Sequence, residues 1–164
     1  MQDSTTLYFM CGKMASGKST LAKQLASEHN AVLLSEDNLL TQLFPGEITD
    51  IKSYINCSTR LKNGLTDHIC ELLRLGVSVV LDFPANTRGQ REWFSQLIKI
   101  SAVPHQLHFV DTANETCKKQ LRERNTSSDA HPVMQDEATF DLLLGYFVAP
   151  DPEEGFLIVH HQRI

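Results

Sequence analysis

The residues with the clearest chemistry lie in the stretch FMCGKMASGKSTLA, residues 9–22. Gly12 and Gly17 are separated by four residues and are followed by Lys18 and Ser19. This G-x-x-x-x-G-K-[ST] spacing lets successive backbone N–H groups converge on phosphate oxygens. The lysine reaches the β- and γ-phosphates, and the hydroxyl of the serine ligates Mg²⁺. The stretch therefore predicts a site for ATP and Mg²⁺, in which Lys18 also acts in catalysis and Ser19 holds the metal.

The sequence on both sides of this stretch supports the same prediction. The apolar run LYFMC precedes it, and apolar residues at helical spacing follow it between Leu21 and Ala26. A loop that opens a helix adds the partial positive charge of the helix N-terminus to the anion site. A glycine-rich turn without a ligand is the alternative. The residues predicted to bind nucleotide form one continuous segment: Gly12, Lys13, Met14, Ala15, Ser16, Gly17, Lys18, Ser19 and Thr20.

A carboxylate follows the second apolar run, in the segment LLSEDNLL. Ligands of open α/β sheets bind outside the carboxyl ends of strands, so Asp37 is expected to face the phosphate loop. There it could bind a substrate hydroxyl and orient it or accept its proton. Glu36 is the second candidate for this role. The alternative is that Asp37 or Ser35 caps a helix beginning near Asn38.

Asp82 ends the strand-like run VSVVLD. An acidic residue at this point, after a phosphate-binding loop, is typical of a magnesium-holding aspartate. Asp82 is therefore predicted to hold the metal together with Ser19. Binding of the acceptor, or a simple turn at the end of the strand, remains the alternative.

Arg88 and Arg91 are one turn apart at the start of a predicted helix that follows Asp82. The i, i+3 spacing puts both side chains on one side of that helix. They are predicted to bind the substrate, by clamping an anionic group of the acceptor or the phosphoryl group in transfer. The alternative is a pair of solvated surface arginines.

These residues must be positioned by a parallel sheet, because strand-like and helix-like segments alternate along the chain. The predicted strands are residues 7–11, 31–35, 77–82, 106–111 and 156–160. The predicted helices are residues 18–29, about 48–75, 88–101, 114–124 and 137–148. The fold class is therefore α/β, and one domain over residues 1–164 is expected.

Composition and charge narrow the function classes. The chain has 164 residues, 41% of them hydrophobic, and a formal net charge of −5. This charge argues against nonspecific binding to nucleic acid or acidic membranes. No membrane-spanning run or signal peptide is seen, and the four cysteines and seven histidines are scattered without metal-ligand spacing. These features predict a cytoplasmic protein with reduced thiols.

The sequence resembles one family in three features: GKMASGKST, the Asp after the second strand and the apolar third strand that ends in Asp. They are similar to the small P-loop kinases of the AAA_33 type, close to chloramphenicol phosphotransferase-like and zeta-toxin-like kinases. The resemblance implies the three-layer α/β/α fold of P-loop NTPases, with a five-stranded parallel sheet. It also implies transfer of the ATP γ-phosphate to a small acceptor, with Asp37 orienting or deprotonating the acceptor hydroxyl.

The resemblance assigns a further role to the arginines of LRERNTSS. In the resembling kinases, arginines of this region belong to a lid that closes over ATP, here a mobile lid around residues 122–135. Arg124 is the favoured catalytic arginine and Arg122 the second, because a guanidinium stabilises charge on the transferred phosphoryl group. The alternative is that both simply favour a helix C-terminus.

The sequence thus predicts a kinase that phosphorylates a hydroxyl of a small molecule. The rival is a nucleotide-binding regulatory ATPase that signals to a protein partner, although no obligate protein partner is inferred. A polynucleotide kinase would need a basic track, and none is evident. The family resemblance places the acceptor pocket along the segment that holds Tyr54, Asn56 and Arg60, without choosing among them.

Overall fold

The fold is seen in a computed structural model, which describes residues 4–125 and 136–163. The strands are β1 Leu7–Cys11, β2 Val32–Ser35, β3 Val79–Asp82, β4 His105–Thr112 and β5 Ile158–Arg163. The helices are α1 Lys18–Glu28, α2 Glu36–Leu43, α3 Ile51–Arg74, α4 Arg88–Ser101, α5 Asn114–Asn125 and α6 Glu137–Leu144. A 3₁₀ turn at Pro152–Glu154 precedes β5.

The five strands form a parallel sheet in the order β2-β3-β1-β4-β5, which confirms the predicted sheet. β1 is central and is buried throughout, because both of its faces are covered. Leu7 and Phe9 pack into the cluster that includes residues of α3 and α4. Tyr8 and Met10 point to the opposite face and pack against α1. The alternation of side chains along β1 therefore builds the two helical layers of the predicted α/β/α fold.

The structure differs from the sequence expectation around β2. The short helix α2 starts directly after the strand, and the Ser35 hydroxyl accepts a hydrogen bond from the Asn38 amide. Ser35 is thus the cap that was considered as an alternative role for this segment. The helix begins two residues earlier than expected, at Glu36, so both acidic side chains lie in its first turn, where the helix dipole favours them.

The last strand also differs, because it runs on to Arg163 beyond the apolar residues that suggested it. β5 is an edge strand that pairs with β4 alone, and its continuation is mostly exposed. An edge strand of this kind needs few apolar residues, so hydrophobicity does not reveal its end. The predicted lid at residues 122–135 starts in α5, but residues 126–135 lie outside the described residues.

A helix that crosses a membrane must be both long and apolar. No helix of the described residues meets both requirements.

The four cysteines are all buried and free, and burial raises the pKa of the Cys11 thiol to about 11. These cysteines pack as small apolar side chains.

The histidines, which the sequence shows as scattered, partly come together across β4 and β5. His108 Nδ1 lies 2.9 Å from His161 Nε2, and His108 Nε2 lies 3.0 Å from the Gln106 side-chain oxygen. On the other side His108 faces Tyr8, whose ring stacks on His29. Burial, together with the charges of His161 and His29, lowers the pKa of His108 to about 4. His108 is therefore neutral in the folded protein at neutral pH.

This burial predicts an acid-sensitive fold. The folded pKa of about 4 lies below the ordinary value of 6.5, so the stabilising contribution is complete above pH 6.5 and is lost as the pH falls towards 4. The His108→Gln variant should lose less unfolding free energy over that range, by up to about 3 kcal/mol. Chemical denaturation at several pH values measures the difference. Exposed His68 on α3 provides the control variant His68→Gln, and equal pH dependence in wild type and His108→Gln would contradict the prediction.

Candidate functional site

The phosphate-binding loop connects β1 to α1 and has the shape that its glycines predicted. A Cβ on Gly12 would lie 2.6 Å from Ser16 Oγ and 2.9 Å from the Val110 carbonyl oxygen, so the loop closes tightly at this point. Gly17 has a φ of 105°, a conformation in which other residues are strained. Gly17 is the N-cap of α1 and has no side chain that could accept a hydrogen bond from the first N–H groups of the helix. The helix N-terminus is therefore open towards the loop. An anion is stabilised at such an end.

The neighbouring strands hold the loop in place. The Gly12 N–H donates to Asn86 Oδ1 at 2.9 Å, and Asn86 lies just beyond the end of β3. From β4, the Thr112 hydroxyl donates to the Ser16 carbonyl oxygen at 2.8 Å, and Lys13 Nζ donates to the Thr112 carbonyl oxygen at 3.2 Å. The loop is therefore fixed from both sides before any ligand binds.

One polar atom of the loop is left without a partner. Ser16 is 1% exposed, and its hydroxyl has no hydrogen-bond partner in the described part of the chain. A buried hydroxyl in this condition is destabilising. A phosphate group held by the loop would supply acceptor oxygens beside it. This unsatisfied atom, the tight turn at Gly12 and the open helix end together fit a nucleotide phosphate.

The two predicted metal ligands lie side by side. Ser19 Oγ donates a hydrogen bond to Asp82 Oδ2 at 2.8 Å, although 63 residues separate them in the sequence. The first turn of α1 supplies the hydroxyl, and the end of β3 supplies the carboxylate. Oxygen donors of this kind are those that Mg²⁺ prefers. The pair is thus suited to hold Mg²⁺ beside the phosphate loop.

A cavity of about 200 Å³ opens at this edge of the sheet. The segment from Lys13 to Ser19 lines it, together with Asp82, Pro84, Asn86, Thr87 and Gln90 near the end of β3. Gly12 is buried beneath the loop and Thr20 is exposed on α1, so neither is among the lining residues. The remaining lining residues form two walls, one on each side of the loop.

The first of these, the α2–α3 wall, consists of Glu36, Asp37, Leu40, Ile48 and Tyr54. Asp37 is exposed at the cavity edge, whereas Glu36 is 2% exposed. The Tyr54 hydroxyl donates to one oxygen of Glu36, and the Ser58 hydroxyl donates to the other at 2.7 Å. Of the three residues considered on this segment, Tyr54 reaches the cavity, while Asn56 and Arg60 are exposed and do not line it.

The environment of Glu36 alters its ionisation. Burial raises the pKa of this carboxyl above its ordinary value, and the hydrogen bonds from Tyr54 and Ser58 oppose the rise. Burial and the Glu36 charge together hold the pKa of Tyr54 well above its ordinary value, so the phenol remains a donor. Glu36 is therefore a buried acceptor group that faces the cavity. The sequence had offered it only as a substitute for Asp37.

The second, the α5–α6 wall, consists of Arg124, Phe140, Leu143, Leu144, Tyr146 and Phe147. It is mostly apolar, and Phe140 packs against Ala15 of the phosphate loop. Of the two arginines predicted to be catalytic, Arg124 reaches the cavity. Arg122 instead forms an exposed ion pair with Glu137 at the start of α6. Residues two apart in one helix lie on different faces, so only one of the two arginines reaches the cavity.

Most of the chain matches the model of one known family. A family model described as the AAA domain AAA_33 matches residues 7–150. The chain belongs to the AAA_33 family. The resemblance predicted from GKMASGKST is thereby confirmed. No curated protein matches the sequence.

Solved structures share the fold of this AAA_33 chain at low sequence identity. A candidate kinase from Chloroflexus aurantiacus J-10-fl is 19% identical, with a TM-score of 0.77 over 98% of this chain and 89% of its own. A sugar kinase from Janibacter sp. HTCC2649 is 17% identical, with a TM-score of 0.62 over 98% and 86%. The APS kinase of Mycobacterium tuberculosis, solved with AMPPNP and APS, is 18% identical, with a TM-score of 0.61 over 98% and 91%. The AAA_33 chain therefore has the P-loop NTPase fold that these kinases share.

The predicted pair Arg88 and Arg91 requires a correction. Arg91 is 1% exposed, and its Nε donates to Glu154 Oε2 at 2.8 Å. Its Nη1 donates to the carbonyl oxygens of Ala85 and Val148 at 2.9 and 2.8 Å. Arg88 is exposed, and neither arginine lines the cavity in the described part of the AAA_33 chain. The i, i+3 spacing indicates that both side chains lie on one side of the helix, but it does not indicate which segment packs over that side. The 3₁₀ turn at Pro152–Glu154 packs there, and its Glu154 pairs with the buried Arg91.

Sequence reasoning missed the role of Asn86. Its side chain accepts from Gly12, its N–H donates to Gln90 Oε1 at 2.9 Å, and its carbonyl accepts from the Val148 N–H at 2.9 Å. Thr87 caps α4 by accepting a hydrogen bond from the Gln90 N–H, and the Gln90 side chain bonds to Asn86. The position of Asn86, four residues after Asp82 in DFPAN, was the only signal in the sequence.

The buried position of Arg91 predicts a large effect on stability. Removing its charge with Arg91→Met leaves Glu154 and two carbonyl oxygens without their donor, so the unfolding free energy should fall by roughly 3 kcal/mol. Exposed Arg88, on the same helix, gives the matched control Arg88→Met, which should change it by about 0.5 kcal/mol or less. Urea denaturation of both variants measures the difference. Equal losses would contradict the buried network.

Proposed function

We propose that this protein is a Mg²⁺-dependent phosphotransferase that moves the γ-phosphate of ATP to a hydroxyl of a small molecule. One observation carries the proposal: a single cavity joins the phosphate loop and the Ser19–Asp82 pair to a wall that presents Asp37. A site that binds only a nucleotide would not need the α2–α3 wall. The P-loop kinase fold and the family are consistent with this activity.

The binding roles follow from position. The N–H groups of the loop and Lys18 would hold the phosphates, and Arg124 would stabilise charge on the transferred group. Ser19 and Asp82 would hold Mg²⁺, which when bound neutralises charge on the β- and γ-phosphate oxygens. The apolar α5–α6 wall offers surface against which a nucleobase can pack.

The acceptor role falls to the α2–α3 wall. The oxygen of the acceptor hydroxyl would form a bond to the γ-phosphorus, while the bond from that phosphorus to the departing ADP oxygen breaks. Asp37 would accept the proton that the hydroxyl loses. Its exposed position at the cavity edge leaves it accessible to an incoming molecule. Phosphoryl transfer depends mainly on positioning and electrostatics, so no nucleophilic side chain is required.

The regulatory-ATPase alternative makes no use of Asp37. In that function, nucleotide binding and slow hydrolysis would depend on the loop and the metal pair alone, and a protein partner would read the nucleotide state. Asp37 therefore distinguishes the two functions, because only phosphotransfer to an acceptor requires it.

The test combines an acceptor screen with matched variants. Wild-type protein, ATP and Mg²⁺ are incubated with hydroxyl compounds of several classes, and phosphorylated product is detected by mass spectrometry. Asp37→Asn should keep ATP affinity and lose about 10²–10⁴-fold in product formation. Lys18→Ala should instead weaken ATP binding in calorimetry, because it removes a phosphate contact. Asp67→Asn, an exposed carboxylate on α3, is the control for the change of charge.

Two outcomes would contradict separate parts of the proposal, the role of Asp37 and the phosphotransferase activity itself. Unchanged phosphorylation by Asp37→Asn would leave this residue with no catalytic role. Hydrolysis without any acceptor in the screen, equal in wild type and Asp37→Asn, would favour the regulatory module.

A further inference from the structure

A cation from the edge of the sheet lies against the phosphate loop. Arg163 is the last residue of β5, and its guanidinium packs over Gly17, the N-cap of α1. A Cβ on Gly17 would overlap Arg163 Nη1 and would lie 3.2 Å from Arg163 Cζ. The missing side chain at Gly17 therefore leaves room for the guanidinium as well as for the turn of the loop.

The pairing of β4 with β5 holds Arg163 in register with the loop. Arg163 lies opposite Thr112, and its carbonyl oxygen accepts a hydrogen bond from the Ala113 N–H at 3.2 Å. The Thr112 hydroxyl in turn donates to the Ser16 carbonyl oxygen at 2.8 Å. The polar end of β5 is thus connected through β4 to the phosphate loop.

The charge of Arg163 lies where a cation is unfavourable unless an anion is bound. The N-terminus of a helix carries a partial positive charge, and the first turn of α1 contains Lys18 and no acidic residue. In the part of the chain that the structure describes, the Arg163 guanidinium donates no hydrogen bond and forms no ion pair. An anion bound at this end of α1 would convert the repulsion into attraction on both sides.

The polar groups of this part of the loop share one property. The Arg163 guanidinium can only donate hydrogen bonds, and so can the N–H groups at the open end of α1. One residue before Gly17, the buried Ser16 hydroxyl has no hydrogen-bond partner in the described residues. A ligand that satisfies all of them must offer several acceptor oxygens, and a phosphate group does so.

The order of the strands indicates which phosphate Arg163 meets. β3, which ends at Asp82, lies on one side of β1, whereas β4 and β5 lie on the other. A metal held by Ser19 and Asp82 bridges the β- and γ-phosphates, so the γ-phosphate is expected on the β3 side. The α-phosphate and the nucleoside then extend towards β4 and β5. Arg163 does not line the cavity, which also places it away from the transferred group.

We propose that Arg163 is a donor-binding residue that contacts the α-phosphate of the nucleotide. Its guanidinium donates to oxygens of that phosphate from the β5 side, while Lys18 serves the other two phosphates from α1. The assignment rests on the nucleotide site of the proposed function and requires no acceptor. It makes Arg163 a contributor to donor affinity and gives it no part in the transfer step.

Calorimetry in the presence of Mg²⁺ tests the assignment with two titrants, AMPPNP and inorganic tripolyphosphate. Both carry a chain of three phosphoryl groups, and only AMPPNP carries a nucleoside. Arg163→Met should weaken both about tenfold, because a charged donor to phosphate is lost. Arg163→Lys keeps a point charge that binds phosphate, so it should weaken each by about threefold or less.

Arg74→Met is the matched control for the change of charge. Arg74 is exposed at the end of α3 and pairs with Glu71, and this end of α3 leads into the amino end of β3, away from the loop. Both affinities should stay at the wild-type value in this variant. Arg163 is itself exposed, so its variants are expected to remain folded, which thermal unfolding checks.

Three binding results would overturn the assignment. Unchanged affinity in Arg163→Met would leave Arg163 with no ligand. A loss confined to AMPPNP would place the guanidinium at the nucleoside instead of the α-phosphate. Equal losses in Arg163→Met and Arg74→Met would reduce the effect to net charge.

The outcomes for this inference and for the proposed function are distinguishable. Weaker binding of both titrants by Arg163→Met, without phosphoryl transfer by wild type to any acceptor, would support the role of Arg163 and overturn the phosphotransferase function. With an acceptor in hand, a raised KM for ATP at wild-type kcat supports the assignment, whereas a lowered kcat at unchanged KM overturns it. A wild-type protein that binds neither titrant would overturn both.

Discussion

The structure of the site depends on the junction between the carboxyl ends of β1 and β3. Parallel pairing sets Phe9 opposite Leu81, so the loop after β1 and the residues after β3 emerge side by side. Two hydrogen bonds then join them, from Gly12 to Asn86 and from Ser19 to Asp82. The phosphate loop is thus attached to the strand that ends at Asp82, the proposed metal ligand. Neither can shift without disturbing the other.

A buried cation supports this junction from behind. Arg91 donates to the carbonyl oxygens of Ala85 and Val148, which flank the contacts of Asn86, and it is neutralised by Glu154. Its charge is therefore used to fix a loop and is not presented to a ligand. This leaves the cavity electrostatically divided, with cations at the phosphate loop and α5 and carboxylates on the α2–α3 wall.

The sequence predicted what local patterns determine. The glycine spacing and the flanking apolar runs were enough to predict the loop, and the alternation of strand-like and helix-like segments was enough to predict a parallel sheet. It could not predict contacts between distant segments. Arg91 was predicted to bind the substrate, because nothing in its helix indicates that Glu154 packs over it. Glu36 resembled a spare carboxylate because Tyr54 and Ser58 reach it only after α2 packs on α3. The different surroundings of Arg122 and Arg124 depend on Glu137, which pairs with Arg122 and lies far from it in the sequence.

A double-mutant cycle tests whether Ser19 and Asp82 act as one metal-holding unit beside the phosphate loop. AMPPNP affinity is measured by calorimetry with and without Mg²⁺ for wild type, Ser19→Ala, Asp82→Asn and the double variant. The account predicts that each single change removes most of the Mg²⁺-dependent affinity and that the double change adds little, a coupling of about 1–3 kcal/mol. Without Mg²⁺ the four proteins should bind alike. Additive losses, or a Mg²⁺ dependence that survives both substitutions, would contradict it.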